Sequence, residues 1–208
     1  MGIALVAALR QLPPDYREAA HFTASDPKIL LRLNLLALIP MLLAYFGLMG
    51  WQAWLRTQRA PISGGSEWLD ALGLLFALVG VLLLHEGFHG VAINAFGFPV
   101  RYGAKYADFG RFKLPIFLYA TTDGGYFRRG QFIIIALAPL LGITLLCLLA
   151  SVVLPERLGL YIALTAAVNA GGAIGDLWMT WLALRYPPTA LIKDEADSIR
   201  IYTQGAAF

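Results

Sequence analysis

The residues His85-Glu86-Gly87-Phe88-His89 form an H-E-x-x-H pattern. In a helix, positions i and i+4 project from nearly the same face, so the two imidazoles can hold one metal ion. Glu86 lies about 100° around the helix from His85, so it can reach a water at the metal without being a ligand. A zinc hydrolase needs this division of labour. The metal's Lewis acidity brings the pKa of a water to about 7, and a carboxylate takes the proton. The chain has three histidines, and two of them fall in this pattern. From the composition, its chance occurrence is on the order of one in a thousand. Without a metal, the pattern would bury two imidazoles and a carboxylate with little to offset their lost solvation.

A catalytic zinc usually takes three protein ligands and keeps one open position. Asp176 is the best third ligand, since an acid inside an apolar helix is costly and points to function. A plainer alternative is a helix-end carboxylate paired with Arg185, nine residues on. Other acids and the third histidine are weaker candidates. His21 lies in a polar segment, Asp108 and Asp123 sit in turn contexts, and Glu67 and Asp70 precede the apolar run. Asn169, seven residues before Asp176, lies on nearly the same helical stripe. It could donate a hydrogen bond to a substrate carbonyl or oxyanion, or act as polar glue between helices. Gly87, Gly90, Gly171, Gly172 and Gly175 read as close-packing positions.

The elements that must carry these residues follow from composition. Of 208 residues, 59% are hydrophobic and only 14% charged, with a mean hydropathy of +0.66. Soluble domains carry about 25% charged residues. This composition argues against a soluble globular enzyme and excludes disorder, and the single Cys147 excludes a disulfide scaffold. A net charge of +3 with scattered basic residues gives no support for nucleic-acid binding. An integral membrane protein of one domain remains.

Four apolar stretches suit a bilayer: about 33–55, 71–98, 132–154 and 158–184. Trp51, Trp54, Trp68, Trp178 and Trp181 fall near their ends, at headgroup level. Pro40 and Pro139 lie within spans, where kinks are tolerated. The stretch Met1–Leu12 is too short to span and lacks signal-peptide features, so it reads as an interfacial helix or packed arm. Four spans put both termini and the central loop on one side. That side carries 13 of the 16 Lys and Arg residues, which places it in the cytoplasm. At 1.5 Å per residue from the outer face, His85 lies at about 21 Å and His89 and Asp176 at about 27 Å. They can meet in the cytoplasmic third of the bilayer.

The loop from about 99 to 131 holds two strand-like runs, Val100–Tyr106 and Phe112–Thr121, with a turn at Asp108–Gly110. A second turn is expected at Asp123-Gly124-Gly125. The expected fold class is therefore an all-α polytopic membrane protein with a small β-hairpin in its central cytoplasmic loop. The tail from Tyr186 reads as a mixed polar segment.

With these residues in view, the chain resembles the site-2-protease class of intramembrane metalloproteases, and more closely the DUF3267 zincin peptidase family of bacterial membranes. The resemblance runs through Leu12-Pro13-Pro14-Asp15-Tyr16, Leu33-Asn34-Leu35-Leu36, the H-E-x-x-H, Ala138-Pro139-Leu140, and Asn169 to Gly175-Asp176-Leu177. Site-2 proteases usually show prolines and a Leu-Asp-Gly in the last motif; here it has no proline, and Leu177 follows the Asp. The resemblance implies a peptidase in a bacterial plasma membrane.

The expected activity is zinc-dependent cleavage of transmembrane or membrane-proximal protein substrates. His85, His89 and Asp176 would hold Zn²⁺, Glu86 would be the base, and Asn169 is a candidate for the catalytic machinery. The alternative is a non-proteolytic membrane protein with a structural or metal-handling site. A transporter is disfavoured by the absence of an internal repeat. No oligomeric state follows from the sequence.

Overall fold

The structure is a computed structural model that describes residues 8–23, 26–58, 60, 66–110, 112–195 and 198–205. Its elements are β1 (Tyr16–Thr23), α1 (Pro27–Leu36), α2 (Leu38–Gln58), α3 (Glu67–Ala95), β2 (Arg101–Phe109), β3 (Phe112–Thr121), β4 (Phe127–Arg128) and α4 (Arg129–Val153). A 3-10 turn at Glu156–Leu158 leads to α5 (Gly159–Gly172), α6 (Ile174–Leu184), β5 (Leu191–Asp194) and β6 (Ser198–Gln204). Of the N-terminal stretch expected as a helix or arm, residues 1–7 lie outside the described residues. In the rest, Leu9 forms an isolated antiparallel bridge with Tyr126.

Local chemistry sets the helix boundaries. Pro27 opens α1 at a position where its missing N–H costs nothing. The Asp26 carboxylate caps that end, accepting from the Lys28 and Ile29 N–H groups at 2.8 and 3.2 Å. α1 ends at Leu36, four residues before Pro40, the carbonyl a proline at 40 cannot serve and its ring crowds. The expected span at 33–55 is thus the C-terminal part of α1 followed by α2, with a break at Ala37.

α3 closes with Gly97 at φ +79°, a left-handed conformation that suits glycine. The Gly97 N–H donates to Asn94 O and the Phe98 N–H to Ile93 O, the two bonds of a Schellman cap. The cap turns buried Phe98 back onto buried Ile93. α5 and α6 are two helices bent by 43° at Ala173, where one span was expected.

Among the described residues, three helical stretches are long and apolar enough to cross a membrane: Pro27–Gln58, Leu72–Ala95 and Arg129–Val153. The bent pair α5–α6 makes a fourth if counted as one span. Many large apolar side chains on these helices are exposed, including Leu43, Phe46, Leu75, Leu83, Leu141 and Val153.

The chain divides into two compact units, with boundaries inside α3, after His85, and inside α4, after Ala138. One unit comprises residues 32–85 and 139–174. In it α2 packs along α5. Trp51 Nε1 donates to Ser151 Oγ at 2.9 Å, and Gln52 Nε2 to Gly159 O at 3.0 Å. Gly171 lets α5 approach closely, since a Cβ there would lie 3.4 Å from Met41 Cβ.

The other unit holds residues 1–31, 86–138 and 175–208. It contains the expected hairpin, β2 antiparallel to β3, from Arg101↔Thr121 to Phe109↔Phe112. It also contains a four-stranded antiparallel sheet in the order β1-β6-β5-β4. This sheet corrects the all-α expectation: the fold is mostly helical with small antiparallel sheets. The polar tail alternates as Ser198-Ile199-Arg200-Ile201, and Ile199 and Ile201 are fully buried while Arg200 is not. That period of two signals a strand, but a four-residue β5 and a two-residue β4 are too short to show a period. Ile192, Ile199 and Ile201 join Phe98, Phe127, Phe132, Ile135 and Leu182 in one apolar core.

Candidate metal centre

His85 and His89 lie on consecutive turns of α3, as the i, i+4 spacing requires. Asp176 lies in the first turn of α6, just past the bend. One ligand atom from each of His85, His89 and Asp176 falls within 4.8 Å of the others. It is the one such group of His, Cys, Asp and Glu residues among those described. His89 Nε2 is 3.5 Å from Asp176 Oδ1, beyond the usual 2.7–3.2 Å of an N–H···O hydrogen bond. Two ligand atoms about 2.0–2.1 Å from a tetrahedral zinc are about 3.3 Å apart. The separation therefore suits two ligands of one ion.

Both histidines use Nδ1 for a protein contact. His89 Nδ1 is 2.9 Å from Ile135 O. A carbonyl only accepts, so Nδ1 carries a proton, and in the neutral ring the lone pair lies on Nε2, the nitrogen that faces Asp176. His85 Nδ1 is 3.0 Å from Asn169 Oδ1. Asn169 Nδ2 donates to Pro139 O at 3.3 Å, which fixes the amide orientation. His85 must then donate from Nδ1, and in its neutral ring the lone pair lies on Nε2. Metal-binding histidines are commonly oriented in this way, by a carbonyl on the second ring nitrogen. The donor set fits zinc: two imidazoles and a carboxylate, which among the described residues is fewer than the four protein ligands that close a structural site.

Other sequence candidates fall elsewhere. Glu86 is half-buried on α3 beside His85. His21 lies on β1, in register with Arg200. Asp123 pairs with Arg101 at 3.0 Å in the turn containing Gly124. The side chains of Glu67, Asp70 and Asp108 lie outside the described residues. Arg185 stacks on Trp181, 4.2 Å from the ring centre. Of the glycines read as packing positions, Gly90 and Gly171 are closely approached, while a Cβ on Gly87, Gly172 or Gly175 would meet nothing within 4 Å. At Gly90 the neighbour is the Tyr102 hydroxyl, so β2 reaches α3 one residue beyond His89.

The family model described as "Putative zincin peptidase", DUF3267, matches residues 78–191, more than half of the chain. The chain belongs to the DUF3267 family. The DUF3267 match takes in His85, Glu86, His89, Asn169 and Asp176 together with the hairpin, and leaves out β1 and β6. No curated protein and no solved structure matches the chain.

Two participants escaped the reading of residue types. One is the Ile135 carbonyl, a backbone group that no side-chain type marks. The other is Pro139, which a sequence pattern registers only as a kink.

Proposed function

We propose that this DUF3267 protein is a membrane-embedded zinc metalloprotease that cleaves peptide bonds of membrane or membrane-proximal proteins. The observation that carries this proposal is the convergence of His85, His89 and Asp176 on one point of the H-E-x-x-H helix. Membership of a zincin peptidase family supports the same chemistry. The membrane setting is supported by the three or four long apolar helices with exposed apolar side chains.

His85, His89 and Asp176 would hold the ion through Nε2, Nε2 and a carboxylate oxygen. Zinc bound there supplies a Lewis acid that acidifies a water and polarises a peptide carbonyl. Glu86 accepts the proton from the attacking water and then passes it to the leaving amine. Asn169, bonded to His85 and Pro139 O, holds His85 in its ligating tautomer. A donor set of three among the described residues, rather than four, would leave a position for water and substrate and weighs against a purely structural site.

A substrate helix hides its carbonyls in hydrogen bonds and must unwind before it can react. Among the described residues the β2–β3 hairpin is a two-stranded sheet, with no further strand on either edge. An unwound segment could add to such an edge through backbone hydrogen bonds. The Tyr102–Gly90 contact brings β2 against the helix that carries the histidines.

The test is a cleavage assay of co-expressed membrane proteins, with wild type set against Glu86→Gln. The variant should retain zinc and lose about 10²–10⁴-fold in rate, the contribution of a general base. Cleavage at the wild-type rate in the variant would overturn the mechanism.

A further inference from the structure

α4 runs without a break from Arg129 to Val153, although Pro139 lies inside it. A proline has no N–H to donate to the carbonyl four residues earlier. In α4 that carbonyl belongs to Ile135, and it is the acceptor for His89 Nδ1 at 2.9 Å. Pro40 shows the other outcome, where α1 stops at the corresponding carbonyl of Leu36. In α4 a histidine N–H takes the place of the missing backbone donor, and the helix continues.

Pro139 also reaches the second histidine. Its own carbonyl accepts from Asn169 Nδ2 at 3.3 Å, and Asn169 Oδ1 faces His85 Nδ1 at 3.0 Å. One proline thus stands behind both imidazoles, through the carbonyl it releases and the carbonyl it carries.

We infer that Pro139 is a positioning residue for the metal centre: by withholding one N–H from α4 it frees the Ile135 carbonyl to orient His89 for metal binding. The inference rests on the proposed metal site. It goes further in assigning the orientation of His89 to a residue that touches neither metal nor substrate. The physical cause is competition for one acceptor. An alanine at 139 would supply the helical N–H and draw the Ile135 carbonyl back into the helix ladder. His89 would then lose the contact that fixes its tautomer, and loss of such an orienting partner typically costs 10–100-fold in metal affinity.

The experiment measures zinc affinity by chelator competition, and the melting temperature of the metal-free protein, for the full chain in detergent. Wild type, Pro139→Ala and Pro40→Ala are compared. Proline is the poorest residue for a helix interior and alanine the best. A merely structural proline would give Pro139→Ala a changed melting temperature and unchanged affinity. The expected result is an affinity about 10–100-fold weaker in Pro139→Ala, a metal-free melting temperature equal to or above wild type, and wild-type affinity in Pro40→Ala. Unchanged affinity in Pro139→Ala would overturn the inference. So would a loss accompanied by a lower metal-free melting temperature, which would make Pro139 a folding residue, or an equal loss in both proline variants. Wild type that binds no zinc would overturn the metal site itself, a failure distinct from these.

Discussion

His89 engages the protein through both ring nitrogens, Nδ1 at the Ile135 carbonyl and Nε2 toward Asp176. His85 engages it through Asn169. The three residues that come together were legible in the sequence because each is an expensive residue type in an apolar chain, and a helix converts the spacing of the two histidines into a common face. Their hydrogen-bond partners were not, because a main-chain carbonyl has no residue type and Asn169 reads more readily as polar glue between helices. The hydrogen bonds make Asn169 a partner of His85, a proposed ligand, and this makes a prediction. Asn169→Ala should weaken zinc binding about 10–100-fold, the usual cost of removing such a partner. It should keep most of its turnover once zinc is saturating. Chelator competition and turnover at saturating zinc check this; unchanged affinity with a large loss of turnover would instead assign Asn169 to the substrate.

Elements were read with uneven success, for reasons visible in each. The hairpin came through because β2 and β3 are nine and ten residues long with branched and aromatic side chains. The four-stranded sheet did not, because β1 finds its partner β6 at the opposite end of the chain and β4 is two residues long. Gly97 offers a test of how α3 ends. At φ +79° an alanine is strained, so Gly97→Ala should destabilise the protein by about 1–2 kcal/mol, measured by denaturant unfolding. Glu195, directly after β5, offers another. Burial pushes the Glu195 carboxyl up, but hydrogen bonds from Lys193 and Arg200 outweigh it and hold it below the usual glutamate range. Salt-bridge distances of 3.1 and 3.0 Å place both cations on it. A carboxyl with a depressed folded pKa adds stability above its unfolded value, and that stability is lost as pH falls through the folded value. Glu195→Gln should therefore cost about 0.5–1 kcal/mol at neutral pH. The difference from wild type should shrink steadily below about pH 4.5, as measured by unfolding across pH.

For the molecule as a whole, scarcity of charge points to a membrane, and the placement of the few charges points to an orientation. If the bent pair α5–α6 counts as a fourth span, 13 of the 16 basic residues share a side with the termini and the hairpin, and the positive-inside rule then predicts cytoplasmic termini. A C-terminal fluorescent protein should be fluorescent in cells. A cysteine placed at Arg56, near the far end of α2, should react with an impermeant reagent added from outside. Dark fusions with an unreactive residue 56 would reverse the orientation. Beneath the topology, the central claim is that His85, His89 and Asp176 together hold one zinc ion. Its most direct test is the zinc content of the purified full chain, wild type beside His89→Ala and Asp176→Ala. The account predicts about one zinc per chain in wild type and little in either variant. Wild type free of stoichiometric metal, or variants that retain it in full, would contradict it.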